Sequence, residues 1–233
     1  MIRTYNSYHL GDNIIHLNFL RRLGLPATHY CPYVYHWQLQ PLVEDTEIQL
    51  LDIGAKPIDA VNCWIGKSGE FQARPPTLTW TQWYDYWFFK LSNELEVDNP
   101  LQTPDDYLLD YPGLKRDYPQ HDYLIINSPP ASGQLPSYNP QWFVDQVKQL
   151  HENGHSVVTT HPTKLCVCTQ DYNMTVCDIG ALSSKVKHII AVDTGPLWPT
   201  YNVRNKDLVL SRTVYTTTHR IDLLNTQTRN ELQ

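Results

Sequence analysis

Short apolar runs alternate with stretches of helical period along most of this chain, and that alternation admits few folds. Residues 2–8 read as a strand. Ile14, Ile15, Leu17, Phe19, Leu20 and Leu23 then recur at helical spacing until Gly24 stops them. Short elements are expected at 28–35, 47–53 and 58–64, and the aromatic-rich stretch from Trp80 to Leu95 reads as a buried helix. The second half repeats the alternation. A buried strand at 123–127 leads through a Pro/Ser/Gly loop at 128–139 into a helix at 140–152. Strands at 156–160, 174–177 and 187–192 follow, with a short helix at 181–186 and a helix from Pro196. Residues 208–210 are expected to close the sheet. Strands alternating with helices make parallel sheets, so the fold class is α/β with a sheet in each half.

Between the halves, residues 98–122 lose all period and gather Asp, Pro and Tyr, as an interlobe connection does. At 233 residues the chain suits two compact lobes. The expected division is 1–117 and 118–233, with the tail from Thr217 to Gln233 forming a helix that packs back on the first lobe.

Net charge is −6, from 18 basic and 24 acidic side chains, which argues against a broad nucleic-acid-binding face. No apolar run approaches the length needed to span a bilayer, and the polar N-terminus lacks the apolar core of a secretion signal. Cys31, Cys63, Cys166, Cys168 and Cys177 form an odd set without framework spacing and read as reduced thiols, so a cytoplasmic location is expected. On that reading the sequon at Asn173 carries no glycan.

The segment that carries most chemistry runs from His188 to Trp198. A buried strand ends in Asp193-Thr194-Gly195, and Pro196 stands where a first helical turn begins, a position that needs no N–H. Free backbone N–H groups there favour an anion such as a diphosphate, and Gly195 lets the backbone approach it. Ligands of open α/β sheets collect at that strand edge. The same residues equally make an Asp or Thr helix cap with no ligand.

The stretch from Ile179 to Leu197 resembles the donor-binding segment of the bacterial lipopolysaccharide heptosyltransferases, where a helix and a strand lead to an Asp-(Ser/Thr)-Gly-Pro-Met-His turn. Leu10-Gly11-Asp12-Asn13-Ile14-Ile15 is similar to the Gly-Asp turn after that family's first strand. The likeness covers about 75 C-terminal and about 20 N-terminal residues. It implies two facing Rossmann-like lobes (the GT-B glycosyltransferase fold), here with a trimmed N-terminal lobe. It also implies inverting sugar transfer from a nucleotide-sugar donor without a metal or other cofactor. Asp12 then corresponds to the catalytic base, which takes the proton of the attacking acceptor hydroxyl. Asp193, Thr194 and Gly195 correspond to the diphosphate-binding turn.

Two positions depart from the family. Trp198 replaces its His, and the loop from Ser128 to Gln134 lacks its Lys, so a phosphate-neutralising charge is either missing or comes from elsewhere, for example Lys164 or Arg204.

Further donor contacts are expected from Ser128, Thr160 and His161. His9, Gly11, Asn13, His16 and Trp198 are expected to line the cleft, although a histidine beside a turn is also an ordinary surface residue. Cys166 and Cys168 with His161 match no established metal spacing. The chain has no Asp-x-Asp pair to clamp a metal on a diphosphate. The expected acceptor is a glycan hydroxyl. A modified base in DNA, a protein side chain, or a non-catalytic nucleotide-binding module are the alternatives.

Overall fold

A computed structural model describes residues 1–67, 77–131, 135–208 and 211–232. The chain divides into two compact units, Met1–Gly113 and Leu114–Gln233, just ahead of the expected 117/118 boundary.

In the first unit, strand β1 (Ile2–Tyr5) leads to helix α1 (Leu10–Leu23). Strand β2 (Ala27–Cys31), the single turn α2 (His36–Leu39), β3 (Ile48–Asp52), β4 (Val61–Asn62) and α3 (Trp80–Leu95) follow. The four strands form a parallel sheet in the order β3-β2-β1-β4. Helix α1 ends because Gly24 takes a left-handed conformation (φ 64°) and returns its N–H to the Arg21 carbonyl. Helix α3 starts at a capping box between Thr79 and Gln82, and Trp80, Trp83, Tyr84, Trp87, Phe88 and Leu91 form its buried stripe. Phe88 stacks on Phe19 of α1 at 4.8 Å, so most of the aromatic run is core.

The second unit holds β5 (His121–Ile126), α4 (Pro140–Glu152), β6 (Val157–Thr159), β7 (Val167–Cys168), α5 (Val176–Leu182), β8 (Val186–Val192), β9 (Ser211–Tyr215) and β10 (Thr226–Arg229). All six strands are parallel, in the order β10-β9-β8-β5-β6-β7. Phe143 and Val147 of α4 pack on Ile125, Val157, Val192 and Tyr215.

Several local expectations are corrected. The first strand stops at Tyr5, and Leu10, Gly11 and Asp12 are already helical, so Asp12 lies inside the first turn of α1 and not on a separate Gly-Asp turn ahead of it. The segment read as a strand at 174–177 is the start of α5, because Thr175 and Asp178 form a capping box there. The helix expected at 181–186 is the end of α5 and a 3₁₀ turn.

The helix expected from Pro196 is a 3₁₀ helix, Gly195–Thr200, since Pro199 has no N–H to give an α-helical bond to the Gly195 carbonyl. Of the expected strand at 208–210, Val209 and Leu210 lie outside the described residues, and the strand beside β8 starts at Ser211. Among the described residues the tail forms no helix: Thr226–Arg229 is a strand beside β9 in the second unit's own sheet. Thr-Gln-Thr-Arg carries no helical apolar stripe, and β-branched Thr226 and Thr228 favour an edge strand.

Candidate functional site

Each sheet reverses its strand order at one place, and the expected residues gather at both. In the first sheet β2 and β3 extend to one side of β1, and β4 lies on the other. Helix α1, which follows β1, therefore starts at the switch point where ligands of open α/β sheets bind.

Asp12 is half-buried in its first turn and accepts a 3.4 Å hydrogen bond from the Tyr84 hydroxyl of α3. Burial, and after it the Asp12 charge, raises the Tyr35 hydroxyl above its usual range. His9 is the residue before the helix; burial alone lowers its pKa. Gly11 is buried in the same turn.

Asn13 and His16 point into the core rather than lining a surface. Asn13 donates to the His9 carbonyl at 2.9 Å and meets His29 Nε2 with its Oδ1 at 2.8 Å. His16 is 2% exposed, and its Nε2 lies 3.1 Å from the Thr4 hydroxyl.

In the second sheet the reversal lies between β5 and β8. Their register pairs Ile126 with Ala191, and continued two residues it sets Ser128 opposite Asp193. Asn127, absent from the sequence expectations, holds this end together. Its Oδ1 accepts the His161 N–H at 2.8 Å and its Nδ2 donates to the His161 carbonyl at 3.0 Å. The Thr160 hydroxyl accepts the Asn127 N–H and meets the Ser128 hydroxyl, both at 3.1 Å. Ser128, Thr160 and His161 are thereby brought together at the C-terminal ends of β5 and β6.

Asp193 is 4% exposed and braces the neighbouring loop. Its Oδ2 accepts hydrogen bonds from Thr216 at 3.1 Å and Thr218 at 3.5 Å, and lies 3.4 Å from His219 Nε2. The run Thr216-Thr217-Thr218-His219 after Val214-Tyr215 was the available signal for this loop. Trp198 is buried, with its ring 6.4 Å from that of His219.

Thr194 and Gly195 form the turn itself, with the Leu197 N–H returned to the Thr194 carbonyl. Of the two expected cations, Arg204 is committed to the Leu114 carbonyl, whereas Lys164 is exposed on the loop after β6. A separate cavity of about 390 Å³ in this unit, lined by Tyr118, His121, Val158, Val167 and Tyr172 among others, includes none of the expected donor residues.

All five cysteines are free thiols. Among the described residues, Cys166, Cys168 and His161 are not brought together as metal ligands. No helix among them is long and apolar enough to cross a membrane.

No protein-family model and no curated protein matches this sequence. Solved structures do. The dodecameric iron-containing glycosyltransferase TibC from enterotoxigenic E. coli H10407 superposes with a TM-score of 0.59 at 12% identity, over 97% of this chain and 63% of its own. E. coli heptosyltransferase WaaC with ADP-2-deoxy-2-fluoro heptose gives 0.56 at 10% identity, over 98% and 92%. A glycosyl transferase family 9 protein from Veillonella parvula gives 0.58 at 12%, over 98% and 86%. The fold is that of the heptosyltransferases. It comprises two α/β units, each built on a parallel sheet. The chain spans under two thirds of the length of TibC and nearly all of WaaC.

Proposed function

We propose that this chain is an inverting glycosyltransferase that moves a sugar, hexose or heptose, from a nucleotide diphosphate donor to an acceptor hydroxyl. The observation that carries the reading is the convergence of Ser128, Thr160, Thr194 and Gly195 on the strand ends around the β5/β8 switch point. Hydroxyls and backbone N–H groups at that edge suit the diphosphate, and Asp193 serves by tying the turn to Thr216 and Thr218. TibC has been solved with ADP-D-beta-D-heptose and WaaC with ADP, which supports a nucleotide-sugar donor.

Asp12 acts as the general base, and the attacking oxygen loses its proton to the carboxylate as the new glycosidic bond forms and the nucleotide diphosphate leaves. Tyr84 orients that carboxylate. The four-stranded first unit is read as a trimmed acceptor lobe, and the acceptor class favoured is a glycan. Absence of an Asp-x-Asp pair supports transfer without a metal on the diphosphate.

A thermal-shift panel of sugar nucleotides tests the reading. A donor present at a hundred times its Kd stabilises the native state by about 2.7 kcal/mol. An ADP-linked sugar should raise Tm, and the free sugar should not. A panel in which no sugar nucleotide shifts Tm overturns the assignment.

A further inference from the structure

Beneath α1, the core of the first unit holds a polar layer that the transfer reaction does not use. Thr4 of β1, His29 of β2, Cys63 just after β4 and His16 of α1 are each at most 3% exposed. One ring nitrogen from each histidine and the Cys63 sulfur lie within 4.8 Å of one another.

The hydrogen bonds assign the protons in this layer. Asn13 uses its Nδ2 on the His9 carbonyl, so its Oδ1 faces His29 and that histidine must donate from Nε2. His29 Nδ1 is then a lone pair, and the Thr4 hydroxyl donates to it at 3.0 Å. The Thr4 oxygen in turn accepts from His16 Nε2 at 3.1 Å. His16 Nδ1 is left as a bare lone pair, fully buried and without a hydrogen-bond partner. An unsatisfied acceptor in a core is destabilising and rare, which argues for something that the hydrogen-bond network alone does not supply.

We propose that His16, His29 and Cys63 form a binding site for one borderline-soft divalent cation of the zinc class, which pins α1 to the sheet. Two imidazoles and a thiolate are the donor set such an ion prefers, whereas magnesium and manganese select oxygen. The Cys63 thiol, which now donates to the Tyr5 carbonyl at 3.1 Å, gives its proton to solvent as the sulfur binds. Bond lengths of about 2.1 Å to nitrogen and 2.3 Å to sulfur require the three donors to close up, and the Thr4 hydroxyl to give up its bond to His29 Nδ1, the lone pair with which that histidine ligates. The effect of the ion is to hold the helix whose first turn carries Asp12.

The test is expression of the full chain in cobalt-supplemented minimal medium, so that the ion enters as the chain folds, followed by metal analysis and absorption spectroscopy. The expected result is one cobalt per chain with a thiolate-to-cobalt charge-transfer band. Cys63→Ala, checked for folding by circular dichroism, should lose the band. The double variant Cys166→Ala/Cys168→Ala should keep it. Absence of bound cobalt in the parent chain, or loss of the band in the double variant, overturns the proposal. So does an undiminished band in folded Cys63→Ala. Should Cys63→Ala fail to fold, Cys63→Ser takes its place: it should likewise lose the band, and a full band there overturns the proposal.

Discussion

The Asp193 carboxylate accepts a 3.1 Å hydrogen bond from the Thr216 hydroxyl across the C-terminal ends of adjacent strands β8 and β9. A buried acid on a turn proposed to meet a diphosphate is thus occupied by its own protein, and what the turn presents outward is backbone and the Thr194 hydroxyl. Thr216→Val keeps the side-chain shape and removes the donor from a buried carboxylate. It should cost about 1–3 kcal/mol of stability and raise the donor KM more than it lowers kcat. Urea unfolding beside steady-state kinetics checks both. An unchanged unfolding midpoint contradicts the bracing role.

Acid should weaken the metal-free protein through the first unit's core. His29 is held to about 3 and His16 is also lowered, both by burial, while an unfolded histidine titrates near 6.5. Between those values the unfolded chain binds more protons than the folded one. The contribution is therefore whole above pH 6.5 and is lost as pH falls. His29 adds a slope of up to about 1.4 kcal/mol per pH unit in that window, and His16 acts in the same direction. His29→Gln should be less stable at neutral pH and show a shallower loss toward pH 4. Equal slopes in parent and variant would count against the assignment.

Strand and helix alternation was legible because apolar period is a local property, and so were the ends of α1 at Gly24 and the core use of Trp83, Trp87 and Phe88. Strand order was not local. Without it, nothing in the sequence said that Asn127 would bridge to His161 or that Asp193 would turn toward Thr216. His16 was misplaced for the same reason: its partner Thr4 lies across a helix–sheet contact. Two misses had signals that were present. Thr175 and Asp178 spell a capping box ahead of α5, and Pro199 forbids an α-helix after Pro196. Strand β10 gave little signal, because a polar edge strand has no apolar alternation to detect.

Transfer should survive excess EDTA, added briefly to folded enzyme. The diphosphate is proposed to leave against hydrogen-bond donors, and no Asp-x-Asp pair is present to clamp a cation on it. A zinc-class ion in the buried His16, His29 and Cys63 set would exchange slowly and would not be replaced by magnesium. Turnover abolished by chelation and restored by magnesium or manganese contradicts the proposed electrostatics.

The proposed transfer depends most on Asp12 as the base. Asp12→Asn keeps the size of the side chain and can still accept from Tyr84, but it cannot take a proton from the acceptor. Because Asp12 is in the first turn of α1, the variant also loses a charge that favours the helix N-terminus, worth about 0.3–1 kcal/mol, so a melting curve accompanies the kinetics. The decisive measurement is turnover of folded Asp12→Asn beside calorimetric titration with the donor. In that variant kcat should be lower by roughly 10²–10⁴-fold with donor affinity nearly unchanged. Full turnover in that variant would remove Asp12 from the mechanism.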